Sequence, residues 1–585
     1  MQIKVVEKPF NKRLLVALTV GLFGVAGCSG GTTNQADNVR VDNPDVNTSV
    51  KIYKNGDIYT VNPNQPWAEA IVIDDGIIAF VGSDAAATSY EINGAEVIDL
   101  NGKMIMPGFH DVHVHALESA SESNHFSLDT KETNPENFIN TIRQASTNNP
   151  NAPWLIGYGH DIYSLINASR DPVDILDDAV SDRPVIVMEQ TSHSMWVNSK
   201  ALERAGINRN SANPVGGLIM KNSNTGDLNG ILIDNAGDLV MDIAMAPTAT
   251  ILQNDYLGLV EYTLPEFAKN GITSFTDARA YWKRDHHKTW QKIEQNNLLT
   301  ARVALALWAY PEDDDRSQIE ALKQLYSNQE NSLLKINQIK IYSDGIVSNT
   351  TAAMHTPYLF DILGIDGNRG LNYFTQERIS NYITELEPAG FDFHIHTIGE
   401  RGIFESLNAI ETSGTDTGRH RLTHLEIVSP SDLTRFSDLN VTADCQVAGD
   451  FSKPEHWNEL VEFVGVEKAD NQIPLRSFKN AGARVTLSSD WSVSPFNPFI
   501  GLQNAITRAP QNLTLEEAVR AYTLDAAYVM RQEDKVGSLE VGKEADLIIL
   551  DRNIFEVEQN TIHQTQVLKT LLAGKVVLDN RVLMK

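Results

Sequence analysis

Eight short stretches rich in branched and aromatic residues, separated by amphipathic segments, constrain this chain more than any other feature. They are "HDVHVH" (110–115), "ITSFTDA" (272–278), "RVALALWA" (302–309) and "QIKIYSDG" (338–345), then "FDFHIHTI" (391–398), "RLTHLEIV" (421–428), "NVTADCQV" (440–447) and "RVTLSSDW" (484–491). Between them lie segments such as "SQIEALKQLYSNQ" and "RGIFESLNAIETS", whose apolar residues recur at helical spacing. Eight strands alternating with helices predict an α/β fold, a (β/α)8 barrel as opposed to an open sheet.

The spacing is regular except between the first stretch and the second. An insertion at about 116–265 must lie there, carrying "WLIGYGHD", "PVIVMEQTSHSMWVNSKAL" and "NGILIDNAG". Outside the barrel both ends have a β texture, with Asn-Gly and Asp-Gly turn signals in "VKIYKNGDIYTV" and "AEAIVIDDGIIAFVG". "ADLIILDRN" and "VLKTLLAGKVVLDNRVL" repeat it near the C-terminus. One composite β-sandwich built from 49–108 and 536–585, around a barrel at 109–535, is the expected organisation.

An apolar fraction of 42% and a charged fraction of 21% describe a folded chain. The net charge of -28 argues against nucleic-acid binding, which needs a basic surface. At the N-terminus, Lys4, Lys8, Lys12 and Arg13 precede "LLVALTVGLFGVAG", which ends at Cys28. That run is short for a bilayer span and suits a signal-peptide core. "VAGC" resembles the lipobox of bacterial lipoproteins, which implies cleavage after residue 27 and lipidation of Cys28. Residues 29–48 are polar and small, as in a flexible tether. The expected location is therefore the envelope of a Gram-negative bacterium, with Ser29 leaning towards the outer membrane. With Cys28 lipidated, Cys445 has no partner for a disulfide and reads as core.

Barrel enzymes place their chemistry at the C-terminal ends of the strands. His113 and His115 are two apart, so they share one face of the first strand while Val112 and Val114 take the other. Lys340 faces the barrel between Ile339 and Ile341; His394 and His396 do so opposite Phe393 and Ile395. The sixth strand carries His424 and the eighth ends in Asp490. One strand histidine is ordinarily a hydrogen-bonded core residue. Five strands delivering such residues to one rim point to a metal site.

The order H-x-H, Lys, His, His, Asp resembles the amidohydrolase superfamily. More narrowly, "MPGFHDVHVH", "DRPVIVMEQTSHSMWVNSKAL", "IKIYSDGIVSNTTAAM", "HIHTIGERG" and "LSSDWSVSPFNP" resemble the amidohydrolase 3 or YtcJ-like family, which includes N-substituted formamide deformylases. The resemblance implies a barrel of the metal-dependent hydrolase type. One metal would take His113, His115 and Asp490, a second His396 and His424. Lys340, N6-carboxylated, would bridge them. It also implies two divalent ions, zinc first, with a metal-bridging hydroxide attacking a non-peptide amide of a small molecule. Asp490 would be the catalytic proton carrier.

His193, matching the family's inserted motif, is expected to line the pocket with Trp196, and Tyr342 and Trp491 to shape it. His394 sits one pleat deeper, as a support for the ligands. Glu400 stands where relatives carry Asp, and could orient a ligand histidine; Ser488 stands where Gly is common. His110 and His160 are set aside, and His286 and His287 are read as surface residues. Two rival readings are a deaminase or cyclic-amide hydrolase on the same scaffold, and a non-catalytic envelope binding protein. The expected partners are an amide substrate, a membrane only through the anchor, no nucleic acid, and a second copy of the chain as a candidate homodimer.

Overall fold

The computed structural model describes residues 50–92, 94–122, 125–414 and 417–580. The apolar N-terminal segment, Cys28 and the tether lie outside the described residues. Eight parallel strands form the central barrel: β1 (Phe109–Val114), β2 (Ile272–Ala280), β3 (Arg302–Trp308), β4 (Leu334–Tyr342), β5 (Asp392–Thr397), β6 (Arg421–His424), β7 (Thr442–Gln446) and β8 (Val485–Ser488). They pair in chain order. The barrel closes where Asp490 N donates to His113 O at 2.8 Å and His115 N to Trp491 O at 2.7 Å. The closing seam is thus made by backbone of residues at the ends of β1 and β8.

Outward-facing side chains such as Ile339, Ile341, Phe393, Ile395 and Leu422 are fully buried under the helical layer. The helix Gln376–Leu386 shows how that layer is encoded. Thr375 caps it by accepting from Arg378 N, and Ile379, Tyr382, Ile383 and Leu386 form its buried stripe. Each such side chain stabilises the layer by about 1.5–3 kcal/mol relative to exposure. A charge at Ile383 would break the contact.

The inner face of the barrel is polar. Arg421, Gln338, His394, Asp444, Thr486 and Ser488 are all buried there. Arg421 Nη2 reaches Val112 O, Gln338 Oε1 and His394 Nδ1 at 2.8–2.9 Å. Asp444 accepts from Thr423, Thr486 and Ser488. Burial without these partners would be costly, which explains why the residues come as a network.

Residues 51–107 and 547–579 build two further sheets, of four and six strands. The larger joins strands Leu547–Leu550 and Val567–Leu572 to Met104–Pro107, so both ends of the chain share one core. Between β1 and β2 the chain makes its own six-stranded sheet, from Phe126–Ser127 to Leu228–Asp234. His286 and His287, read from sequence as surface residues, are buried in the helix His286–Gln295. The charged neighbours in "WKRDHHKTW" masked an amphipathic helix. Cys445 is fully buried on β7, and burial pushes its thiol pKa up, as expected of a core residue.

Candidate metal centre

The pleat and register of neighbouring strands bring the ligand-type residues together. Lys340 pairs with His394 and Tyr342 with His396 between β4 and β5, and His424 pairs with Thr397 across β5 and β6. Asp490 follows β8 directly. Its Oδ1 lies 3.1 Å from His115 Nε2 and 3.3 Å from His113 Nε2, and its Oδ2 lies 3.9 Å from His424 Nδ1. The His396 ring meets that of His424 at a centroid distance of 4.4 Å. His424, Leu425 and Asp490 all adopt positive φ, at 77°, 56° and 56°. For non-glycine residues this costs on the order of 1–3 kcal/mol each and is characteristic of functional sites.

The donor set fits a divalent cation. His113 Nε2, His396 Nδ1 and Lys340 Nζ are buried nitrogens with no hydrogen-bond partner among the described residues. An orphaned buried donor is rare unless something else meets it. Burial, reinforced by neighbouring positive charge, pulls His113 and His396 well below the usual histidine range. Burial likewise pulls the Lys340 amine well below its usual range. His113 and His396 are therefore neutral at pH 7 with a lone pair available, and burial disfavours the charged form of Lys340. His113, His424 and Asp490 place ligand atoms within 4.8 Å of one another. Asp490 keeps a lowered pKa although burial raises it, because the His115 hydrogen bond and the nearby His424 charge outweigh that penalty.

Two supports lie behind the ligands. His394 Nε2 reaches His113 Nδ1 at 3.0 Å, and Arg421 holds the other side of the His394 ring. His115 Nδ1 sits 2.9 Å from Glu118 Oε2, and Glu118 takes two bonds from Arg279, at 3.2 and 2.9 Å. Arg279 also donates to Tyr342 Oη at 3.1 Å. Sequence reasoning missed Glu118 and Arg279. Arg279 stands one residue beyond the stretch assigned to the second strand, so the strand-end rule applied to histidines would have flagged it.

The insertion supplies the wall opposite the rim. His193 packs on His396 and Tyr342, with ring centroids 5.4 and 5.9 Å away, and its Nδ1 is 2.6 Å from Asp234 Oδ1. Two chambers meet at this wall, sharing His193, His396, His424, Asp490 and Val493. The first runs past Glu118, Arg279, Asp238 and Trp308, and Tyr342 lines it. The second runs past Val347, Ile398, Phe463 and Glu426.

Other expected site residues fall elsewhere. Trp196, expected in the pocket, is fully buried in the insertion's own core and donates to Pro172 O. Its strand position turns it to the face away from His193. Trp491, expected to shape the pocket, packs on Phe267 and Phe496 outside both chambers. Glu400 binds Lys468 and His355 N instead of orienting a ligand histidine. His110 and His160 are buried away from the centre, held by Gly108 O and Ser194. Ser488 donates to Asp444 inside the barrel.

The profile of the amidohydrolase family matches residues 96–578. The chain is 26% identical to the putative amidohydrolase YtcJ of Bacillus subtilis over 90% of this chain and 99% of that protein. It is 24% identical to an N-substituted formamide deformylase of Arthrobacter pascens, over 89% and 96% of the two chains. An uncharacterized metal-dependent hydrolase from Pyrococcus horikoshii shares the fold with a TM-score of 0.70 at 22% identity, over 87% of this chain and 99% of that one.

Proposed function

Because this chain belongs to the amidohydrolase family, we propose that it is a hydrolase acting on a non-peptide carbon–nitrogen bond of a small molecule. The observation that carries the reading is the convergence of three buried nitrogens that make no hydrogen bond among the described residues, on His113, Lys340 and His396, with the Asp490 carboxylate 3.3 Å from the first.

His113, His115 and Asp490 would hold one divalent ion, and His396 and His424 a second. Lys340 would lie between them, its amine, whose charged form burial disfavours, suited to take up carbon dioxide as a carbamate. Zinc is the first candidate for such nitrogen and carboxylate ligands. Such ions would lower the pKa of a water to near ~7 and polarise a substrate carbonyl.

The chain's own residues do the rest. Glu118 and Arg279 fix the His115 ring, and His394 with Arg421 fixes His113. Asp490, which keeps a lowered pKa and lines both chambers, would accept the proton of the attacking water and pass it to the departing amine. His193, steadied by Asp234, lines both chambers beside His396. A complete ligand set favours an enzyme over a non-catalytic binding protein. Lys340 favours a two-metal amide hydrolase over a one-metal deaminase.

The test is metal analysis of the purified protein with a screen of N-formyl amines, named first by the deformylase relative, then anilides and cyclic amides. Metal-replete, folded protein that hydrolyses none of them would overturn the proposal. Export and lipidation at Cys28 form part of the same reading. Labelled palmitate should enter the full chain and fail to enter Cys28→Ala.

A further inference from the structure

We infer that the two chambers flanking the metal centre select amides whose arms are neutral or cationic, N-acyl amines as opposed to N-acyl amino acids. The inference rests on the amide-hydrolase reading and names its substrate class.

The argument is a charge account of the cavity walls. Among the described residues, Arg279 and Arg284 are the only lysine or arginine side chains lining either chamber, and both line the first. Arg279 is clamped on Glu118, and Arg284 donates twice to Asp242 Oδ1, at 3.0 and 2.6 Å. A substrate carboxylate could recruit Arg279 only by breaking the Glu118 pair, which would also release His115 from its support. The histidines His125 and His286 offer no substitute. Burial pulls them down to about 4 and about 3, so both are neutral at pH 7.

The carboxylates are accounted for differently. Glu118 is answered by Arg279, Asp234 by His193, Asp490 by the ligand histidines, and Glu459 by His456. Asp238 in the first chamber, and Glu426 and Glu462 in the second, have no hydrogen bond or ion pair among the described residues. Burial pushes the Asp238 carboxyl up to about 6 against the pull of Arg279 and Arg284, and the Glu426 carboxyl up to about 7, so Glu426 is no fixed anion at pH 7. Among the described residues the walls thus hold no cation free to meet a substrate carboxylate, while Asp238 and the exposed Glu462 favour a cationic arm. In a cleft with apolar walls such as Val347, Ile398 and Phe463, a substrate carboxylate that finds no cation is costly to bury. Metal charge would attract an anionic arm, so binding to metal-stripped protein isolates the contribution of the walls.

The test is a matched trio of N-formyl aromatic amines carrying a methyl, an aminomethyl or a carboxylate group at one ring position. Turnover by metal-loaded enzyme should give the carboxylate member a kcat/KM at least about tenfold (1.4 kcal/mol) below the methyl member. The aminomethyl member should equal or exceed the methyl member, and added salt should narrow the spread. Calorimetric binding of the same trio to metal-stripped protein should rank them identically. Asp238→Asn, measured above pH 7, should shrink the gap between the cationic and anionic members.

A carboxylate member bound or hydrolysed as well as the methyl one overturns the inference. So does failure of the neutral and cationic members to bind. If the binding order holds while none is hydrolysed, charge selection stands and the amide-hydrolase reading fails.

Discussion

Oδ1 of Asp490 lies 3.1 Å from Nε2 of His115, and the same two segments zip the barrel shut through His115 N and Trp491 O. The proposed proton carrier and a proposed metal ligand are thus positioned by the closing seam of the barrel. Because the seam is backbone, Asp490→Asn should fold with a thermal midpoint close to that of the parent. Its turnover should fall by about 10³–10⁴, in line with losing a positioned acid–base group and a ligand carboxylate. Circular dichroism and kcat, measured with metal content, check this; an active Asp490→Asn enzyme would remove Asp490 from the mechanism.

Lys340 is fully buried, and its amine makes no hydrogen bond among the described residues. Replacing it by methionine keeps the volume and removes an unsatisfied polar group. Metal-free Lys340→Met should accordingly be at least as heat-stable as the metal-free parent, yet bind at most one ion per chain and lose turnover. Native mass spectrometry of the parent in bicarbonate should show the added mass of one carbon dioxide, absent from the variant.

Glu118 joins Arg279 to His115, and its carboxyl is held well below the usual range although burial opposes this, because Arg279 and His115 lie against it. Glu118→Gln removes the charge and retains the shape. Metal affinity should fall by about 10–100-fold, as for other partners of ligating histidines. Titration of metal-free protein with zinc in a competing chelator measures it, and unchanged affinity would refute the support role.

Asp277 on β2 is buried, with Trp290 Nε1 donating to it at 2.8 Å. Burial pushes its carboxyl up to about 7 against the pull of that hydrogen bond, and Glu118 adds to the rise. The folded state therefore binds this proton more tightly than the unfolded chain does. The stabilisation is complete below the unfolded pKa of about 4 and is lost as pH climbs towards about 7. Asp277→Asn should gain on the parent by on the order of 2 kcal/mol between pH 5 and pH 7.5. Parallel denaturant curves at the two pH values check both size and sign; a gap independent of pH would contradict the assignment.

Much of this architecture is visible in local patterns. Alternation along "HDVHVH" and "QIKIYSDG" places His113, His115 and Lys340 on the inner face without any knowledge of the partners they meet. The helices between, such as Gln376–Leu386, announce themselves by their spacing and their caps. Other features have no local signal. Trp196 looks like a pocket residue beside His193, yet the pleat sends the two to different places, one into the insertion core and one onto His396. His286 and His287 look solvated because their neighbours are charged, and only the helix packing buries them.

The sequence by itself determined the barrel, the two-ended β-domain and the residue types at the strand ends, since these follow from periodicities of two and 3.6 within single segments. Tertiary structure alone decided which groups answer one another. Glu118 meets Arg279 across the gap bridged by the insertion, and Arg421 reaches His394 inside the barrel. The physical reason is range. Backbone geometry and burial pattern act over a few residues, whereas hydrogen bonds and charge pairs depend on distances that only closure of the whole barrel sets.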